Sequence, residues 1–149
     1  MANVNFTKHI KANPDRTFEI FTDFESAERR IEGIKKLELL TDGPIGKGTR
    51  FRETRTMFGK ETTEEMEITD FRPGRSYTVG GESCGSVWSS TFKFAPNDDG
   101  TEVSMEMSFR PVSMFAKVMS PLSFLFIGTC KKMMEKDLED LRKAAESVN

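Results

Sequence analysis

Phe51-Arg52-Glu53-Thr54-Arg55-Thr56-Met57-Phe58-Gly59-Lys60-Glu61-Thr62-Thr63-Glu64-Glu65-Met66-Glu67-Ile68 is the stretch whose reading decides the fold. It has two strand-like runs around a Gly-Lys turn signal. If Gly59-Lys60 is a two-residue turn, Phe51 faces Ile68, Glu53 faces Met66 and Arg55 faces Glu64 on one side of a sheet. The other side then pairs Arg52 with Glu67 and Thr56 with Thr63, as a wet face should. A slip of one residue would scramble both faces, so the pattern favours this register.

Similar signals lie on either side. Gly46-Lys47-Gly48 marks a loop, and Pro73-Gly74 a type II turn that puts Tyr77 near Asp70 and Val79 near Ile68. Gly80-Gly81 should weaken or bulge that strand and curve the sheet. Trp88, Ser90, Phe92 and Phe94 share one face. Val103, Met105, Met107 and Phe109 alternate strictly with Glu and Ser, as in a half-buried strand. Before the hairpins, Asn3 to Ala12 reads as a first strand whose apolar face Lys8 interrupts. Asn13-Pro14 opens a short helix bearing Phe18, Phe21 and Phe24. Ser26 is placed as the cap of a second short helix ending at Gly33, and Leu37 and Leu39 mark the next strand. From Ser113 to Ser147 the apolar residues recur at helical spacing, with a kink expected at Pro121. The order β-α-α-β6-α is that of one α+β domain over residues 1–149.

Composition narrows the function. The chain has 149 residues and a net charge of −2 with no basic block, which argues against nucleic acid as a partner. No apolar run is long enough for stable membrane insertion, and no export signal is visible, so a cytoplasmic location is expected. Cys84 and Cys130 match no zinc or redox spacing and read as reduced thiols. Thirteen Phe and nine Met beside one Trp, one Tyr and one His suit an adaptable apolar pocket wall more than acid–base chemistry.

These stretches also carry a resemblance. Ala12 to Phe18, Leu39 to Phe51, Glu67 to Arg75, Gly100 to Val103 and Met134 to Leu141 together resemble the START-like superfamily, in its SRPBCC branch of polyketide cyclase/dehydrase and lipid-transfer proteins. The resemblance implies a helix-grip fold, a seven-stranded curved antiparallel sheet around a long C-terminal helix. Two short helices would follow the first strand. It also implies an apolar cavity between sheet and helix, with members that include carriers and cyclases.

The candidate chemistry is sparse. Gly46-Lys47-Gly48-Thr49 lacks the Walker A order, and Asp98-Asp99-Gly100 is too short for a calcium loop. His9 has the parity of the outer face, no set of metal ligands is present, and no cofactor is expected. The expected ligand-binding residues are Phe51, Glu53, Arg55, Glu64, Met66, Tyr77, Trp88, Ser90, Met105, Met107, Phe115, Met119 and Phe126. Arg55 and Glu64 would orient a polar end, so Arg55→Ala should weaken an acidic ligand and leave folding intact. The first expectation is thus binding or transport of a small apolar or amphipathic molecule. The alternatives are a cyclase/dehydratase-like enzyme using Glu53, Glu64 or Tyr77, and a protein-interaction domain with a filled interior. Leu122 to Ile127 stays open between cavity wall and partner surface, including a homodimer contact.

Overall fold

The computed structural model describes residues 2–57, 59–83, 86–111 and 123–147. Seven strands form one antiparallel sheet: β1 (Ala2–Ile10), β2 (Ile34–Leu39), β3 (Arg50–Met57), β4 (Lys60–Arg72), β5 (Ser76–Ser83), β6 (Ser86–Asn97) and β7 (Gly100–Pro111). Their spatial order is β1-β7-β6-β5-β4-β3-β2. Helices α1 (Pro14–Thr22) and α2 (Phe24–Arg30) follow β1, and α3 (Ser123–Glu146) follows β7. This is the expected helix-grip architecture. The expected helical residues before Ser123, with the Pro121 kink, lie outside the described residues.

Local chemistry explains the helix starts. Asn13 caps α1 by accepting the Arg16 N–H at 2.8 Å, with Pro14 in the first turn. The second helix corrects the sequence expectation. It begins at Phe24 after Asp23, and Ser26 lies inside it with its hydroxyl accepting from Arg29 Nη2 at 2.9 Å. The Asp23–Phe24 junction lets α2 follow α1 at once, so the start falls earlier than the hydroxyl suggests.

The hairpin register differs from expectation by two residues, and the faces survive. Met57 pairs with Lys60, so Phe51 faces Met66, Glu53 faces Glu64 and Arg55 faces Thr62. On the outer face Arg52 Nη2 donates to Glu65 at 3.0 Å, and the Thr54 and Thr63 hydroxyls meet at 3.0 Å. A two-residue shift preserves the period-two pleat, so every side chain keeps its face.

In the next hairpin, Arg75 N–H donates to Arg72 O at 2.9 Å and Gly74 has φ 75°, as a type II turn requires. Val79 pairs with Ile68 as expected, but Tyr77 pairs with Phe71 rather than Asp70. The irregularity lies in β4 between Ile68 and Asp70, while the β5–β6 register runs unbroken through Gly80 and Gly81. Gly81 serves a different purpose: a Cβ there would stand 2.9 Å from Trp88 Cζ2. Its missing side chain is the space the indole occupies.

The core sits at the end of the sheet covered by α1 and α2. Phe18 meets Phe71, Tyr77 and Phe94 edge-on at centroid distances of 5.4, 5.9 and 5.2 Å. Phe24 stacks on Phe51 at 4.8 Å, and Tyr77 stacks on Phe92 at 4.8 Å. Such pairs add about 0.5–1.5 kcal/mol each beyond area burial. From β7, Val103, Met105 and Met107 complete this floor.

Candidate functional site

The concave face is assembled by strand parity. Transverse rows run Leu39, Phe51, Met66, Gly81, Trp88, Phe109 and, one row inward, Val79, Ser90, Met107, Val4. Phe51, Ser90, Met105, Met107 and Tyr77 are buried there. Met66, Trp88, Phe92 and Phe109 point the same way yet stay half-buried. The structure thus brings together ten of the sequence-derived candidates on one face. Phe115 and Met119 lie outside the described residues, as does the side chain of Phe126.

Sheet curvature brings both sides of this face to α3. From β1, Lys8 Nζ reaches Glu139 Oε2 at 2.6 Å; from β3, Arg55 reaches Asp137. The residue that breaks the apolar face of β1 is therefore a cation matched to the helix. Further along, Arg16 donates to the carbonyls of Ala145 and Ser147, and the Lys11 N–H donates to Glu146. The two Arg16 bonds satisfy C-terminal carbonyls that lack partners within the helix.

Arg55 is the centre of the polar part of the site. Its Nη1 and Nη2 donate to the two oxygens of Asp137 at 3.1 and 2.6 Å, and its Nε donates to Glu53. All three side chains are about nine-tenths buried. The turn after α2 covers them: a Cβ at Gly33 would stand 3.0 Å from Arg55 Nη1. In the same turn the Glu32 N–H donates to Asp140 Oδ2 at 3.0 Å, and Lys136 reaches both Asp140 and Glu32.

Electrostatics follow from two carboxylates sharing one guanidinium. Burial works to lower the Arg55 pKa, but Glu53 and Asp137 outweigh it and raise it, so the guanidinium is firmly charged. Burial pushes Asp137 up to about 6; Arg55 pulls against this, while Glu53 and Asp140 add to it. Tyr77 is the other perturbed group, its phenol pushed far above the ordinary range by burial among aromatic rings.

Sequence reasoning pairs Arg55 with Glu64 and misses Asp137. Glu64 instead faces Glu53, half-buried, on the same side of the sheet. Because Arg55 joins two buried carboxylates, its replacement by Ala would strand both of them, a cost to folding that the sequence expectation leaves out. A signal for Asp137 exists. It falls beside the helical stripe of Met134, Leu138, Leu141 and Ala145, where a lone carboxylate needs a partner.

His9 lies outside this site, as its parity suggests, on the outer face with Asp99 at 3.0 Å. Among the described residues, no group of three or more His, Cys, Asp or Glu is arranged to hold a metal, and no helix is long and apolar enough to cross a membrane.

Comparison with known proteins agrees with this geometry. Residues 1–146 match the family model described as polyketide cyclase/dehydrase and lipid transport. An uncharacterised 17.2 kDa protein of Streptomyces lincolnensis is 33% identical over 148 residues, covering 98% of this chain and 91% of that protein. Among solved structures, the Zhui aromatase/cyclase from Streptomyces sp. R1128 superposes with a TM-score of 0.82 at 15% identity, covering 97% of this chain and 93% of that one. TTHA0849 from Thermus thermophilus superposes with a TM-score of 0.70 at 20% identity, covering 97% and 94%. At such identities these structures share the fold with this chain. The family match extends over the sheet and α3 alike, and by it the chain belongs to the polyketide cyclase/dehydrase and lipid-transport family.

Proposed function

We propose that this protein binds a small apolar or amphipathic molecule between the concave face of the sheet and α3. One observation carries the reading: Met66, Trp88, Phe92 and Phe109 face inward but remain half-buried, while the other end of the same face is tightly packed. Apolar side chains left partly open on a concave face are what a ligand of that chemistry covers. Arg55, Glu53 and Glu64 supply the polar end, and Ser90 and Tyr77 stand deeper along the face. A cytoplasmic setting, with Cys84 and Cys130 reduced, belongs to the same proposal.

Native mass spectrometry of freshly purified protein, with solvent extraction of whatever is released, tests this reading. A stoichiometric small molecule is the expected result. Trp88 is the sole tryptophan, so its emission gives a second readout. An apo mass together with no Trp88 response to apolar probes would overturn binding and favour an interaction domain with a filled interior.

Catalysis is a second reading, favoured by Asp137. A buried carboxyl raised to about 6 exchanges its proton near neutrality, where a general acid or base works best. The combined variant Asp137→Asn, Glu53→Gln, Glu64→Gln, Tyr77→Phe should then change the pH–rate profile on a polyketide-like substrate. An unaltered profile would reject a role for those four.

A further inference from the structure

We infer that the polar end of the bound molecule is a hydrogen-bond donor or a cation, and that the site discriminates against an acid. The inference rests on the binding reading above and concerns the chemistry of its ligand. Away from the exposed hairpin tip at Lys60, the cations on concave positions of the described strands are Lys8 and Arg55. Each already hands its charge to α3, Lys8 to Glu139 and Arg55 to Asp137. Arg55 also donates to Glu53, so two carboxylates meet one guanidinium and the trio carries a net negative charge.

Glu64 stands opposite Glu53 in register. Asp140, on the same helix as Asp137, is already met by Lys136 and the Glu32 N–H, so it does not offset the excess charge of the trio. Lys136 and Lys131 are exposed, with Lys131 placed over the Phe6 ring and well screened by water. An acidic head beside Arg55 would therefore add a like charge where water screens poorly. An ammonium or hydroxyl group would instead donate to carboxylate lone pairs that Arg55 leaves open.

Three probes with the same C12 chain separate these cases: dodecanoate, dodecan-1-ol and dodecylammonium. Each would compete with the uncharged dye N-phenyl-1-naphthylamine at about pH 7, where the head groups keep their formal charges. The expected result is that the ammonium and the alcohol bind at least about tenfold tighter than the carboxylate. Asp137→Asn, and separately Glu53→Gln, should shrink that ratio to under about threefold by making the trio neutral. Glu61→Gln removes an exposed outer-face charge and should leave the ratio unchanged. Dodecanoate binding as well as or better than the others would overturn the inference. So would Glu61→Gln shrinking the ratio as much as Asp137→Asn, since net charge alone would then explain it. If none of the three displaces the dye, the binding reading itself falls and takes this inference with it.

Discussion

Arg55 and Asp137, separated by 82 positions in sequence, are joined by two parallel hydrogen bonds of 3.1 and 2.6 Å between β3 and α3. The fork geometry of guanidinium and carboxylate makes this a directional joint, and its burial makes each partner dependent on the other. Lys8 and Glu139 form a wetter counterpart on the opposite flank of the helix, where Arg142 and Lys8 hold the Glu139 carboxyl down at about 2.

Removing the cation should be costly. Arg55→Leu leaves Glu53 and Asp137 buried without their shared partner and should destabilise the fold by about 3–5 kcal/mol. Urea unfolding followed by circular dichroism measures this. A loss below about 1 kcal/mol, the scale of an exposed pair, would show that water reaches the trio.

Asp137 should make stability fall with rising pH. Its ordinary value is 3.8 and its folded value is about 6, so the folded state holds the proton more firmly than the unfolded state. The stabilisation is complete below about 3.8 and is lost as pH rises through about 6, a difference of about 3 kcal/mol as an upper bound. Unfolding free energies of the parent protein and Asp137→Asn, measured across that window, isolate this group. The parent should weaken relative to the variant as pH rises, and a constant difference between them would refute the assignment.

Gly81 should be intolerant of branched side chains. Gly81→Val fills the space beneath the indole, and overpacking of that kind costs about 1–3 kcal/mol. The emission maximum of Trp88 should shift at the same time. Unchanged emission with full stability would mean that the ring moves aside freely.

Phe18 should matter more than its place in a short helix suggests. It contacts Phe71, Tyr77 and Phe94 together, so Phe18→Ala should cost about 3–5 kcal/mol by leaving a cavity among them. Thermal unfolding of the two proteins checks the magnitude.

Much of this architecture is legible in the chain because burial leaves a periodic trace. Val103, Met105, Met107 and Phe109 announce an inward face by alternation, and Asn13-Pro14 announces a helix start. The β3–β4 register is less legible. Near the hairpin tip β3 carries Arg, Glu and Thr and β4 carries Lys, Glu and Thr, so a two-residue shift changes no face and leaves no compositional mark. Asp137 is hidden for a related reason. Glu135-Lys136-Asp137-Leu138-Glu139-Asp140 looks like a solvated helix surface unless each residue is set against Met134, Leu141 and Ala145. Its partner, 82 positions away, has no local signature.

The order of elements along the chain also bears on biogenesis. Helix α3 follows all seven strands, yet it supplies Asp137, Leu138 and Leu141 to the middle of the structure. During synthesis the strands emerge first, and their concave apolar rows must wait for the helix that covers them. Until its last turns leave the ribosome, the core of the nascent chain lacks Leu138, Leu141 and Ala145. A stalled or truncated chain ending before α3 is therefore a natural client for a holdase chaperone.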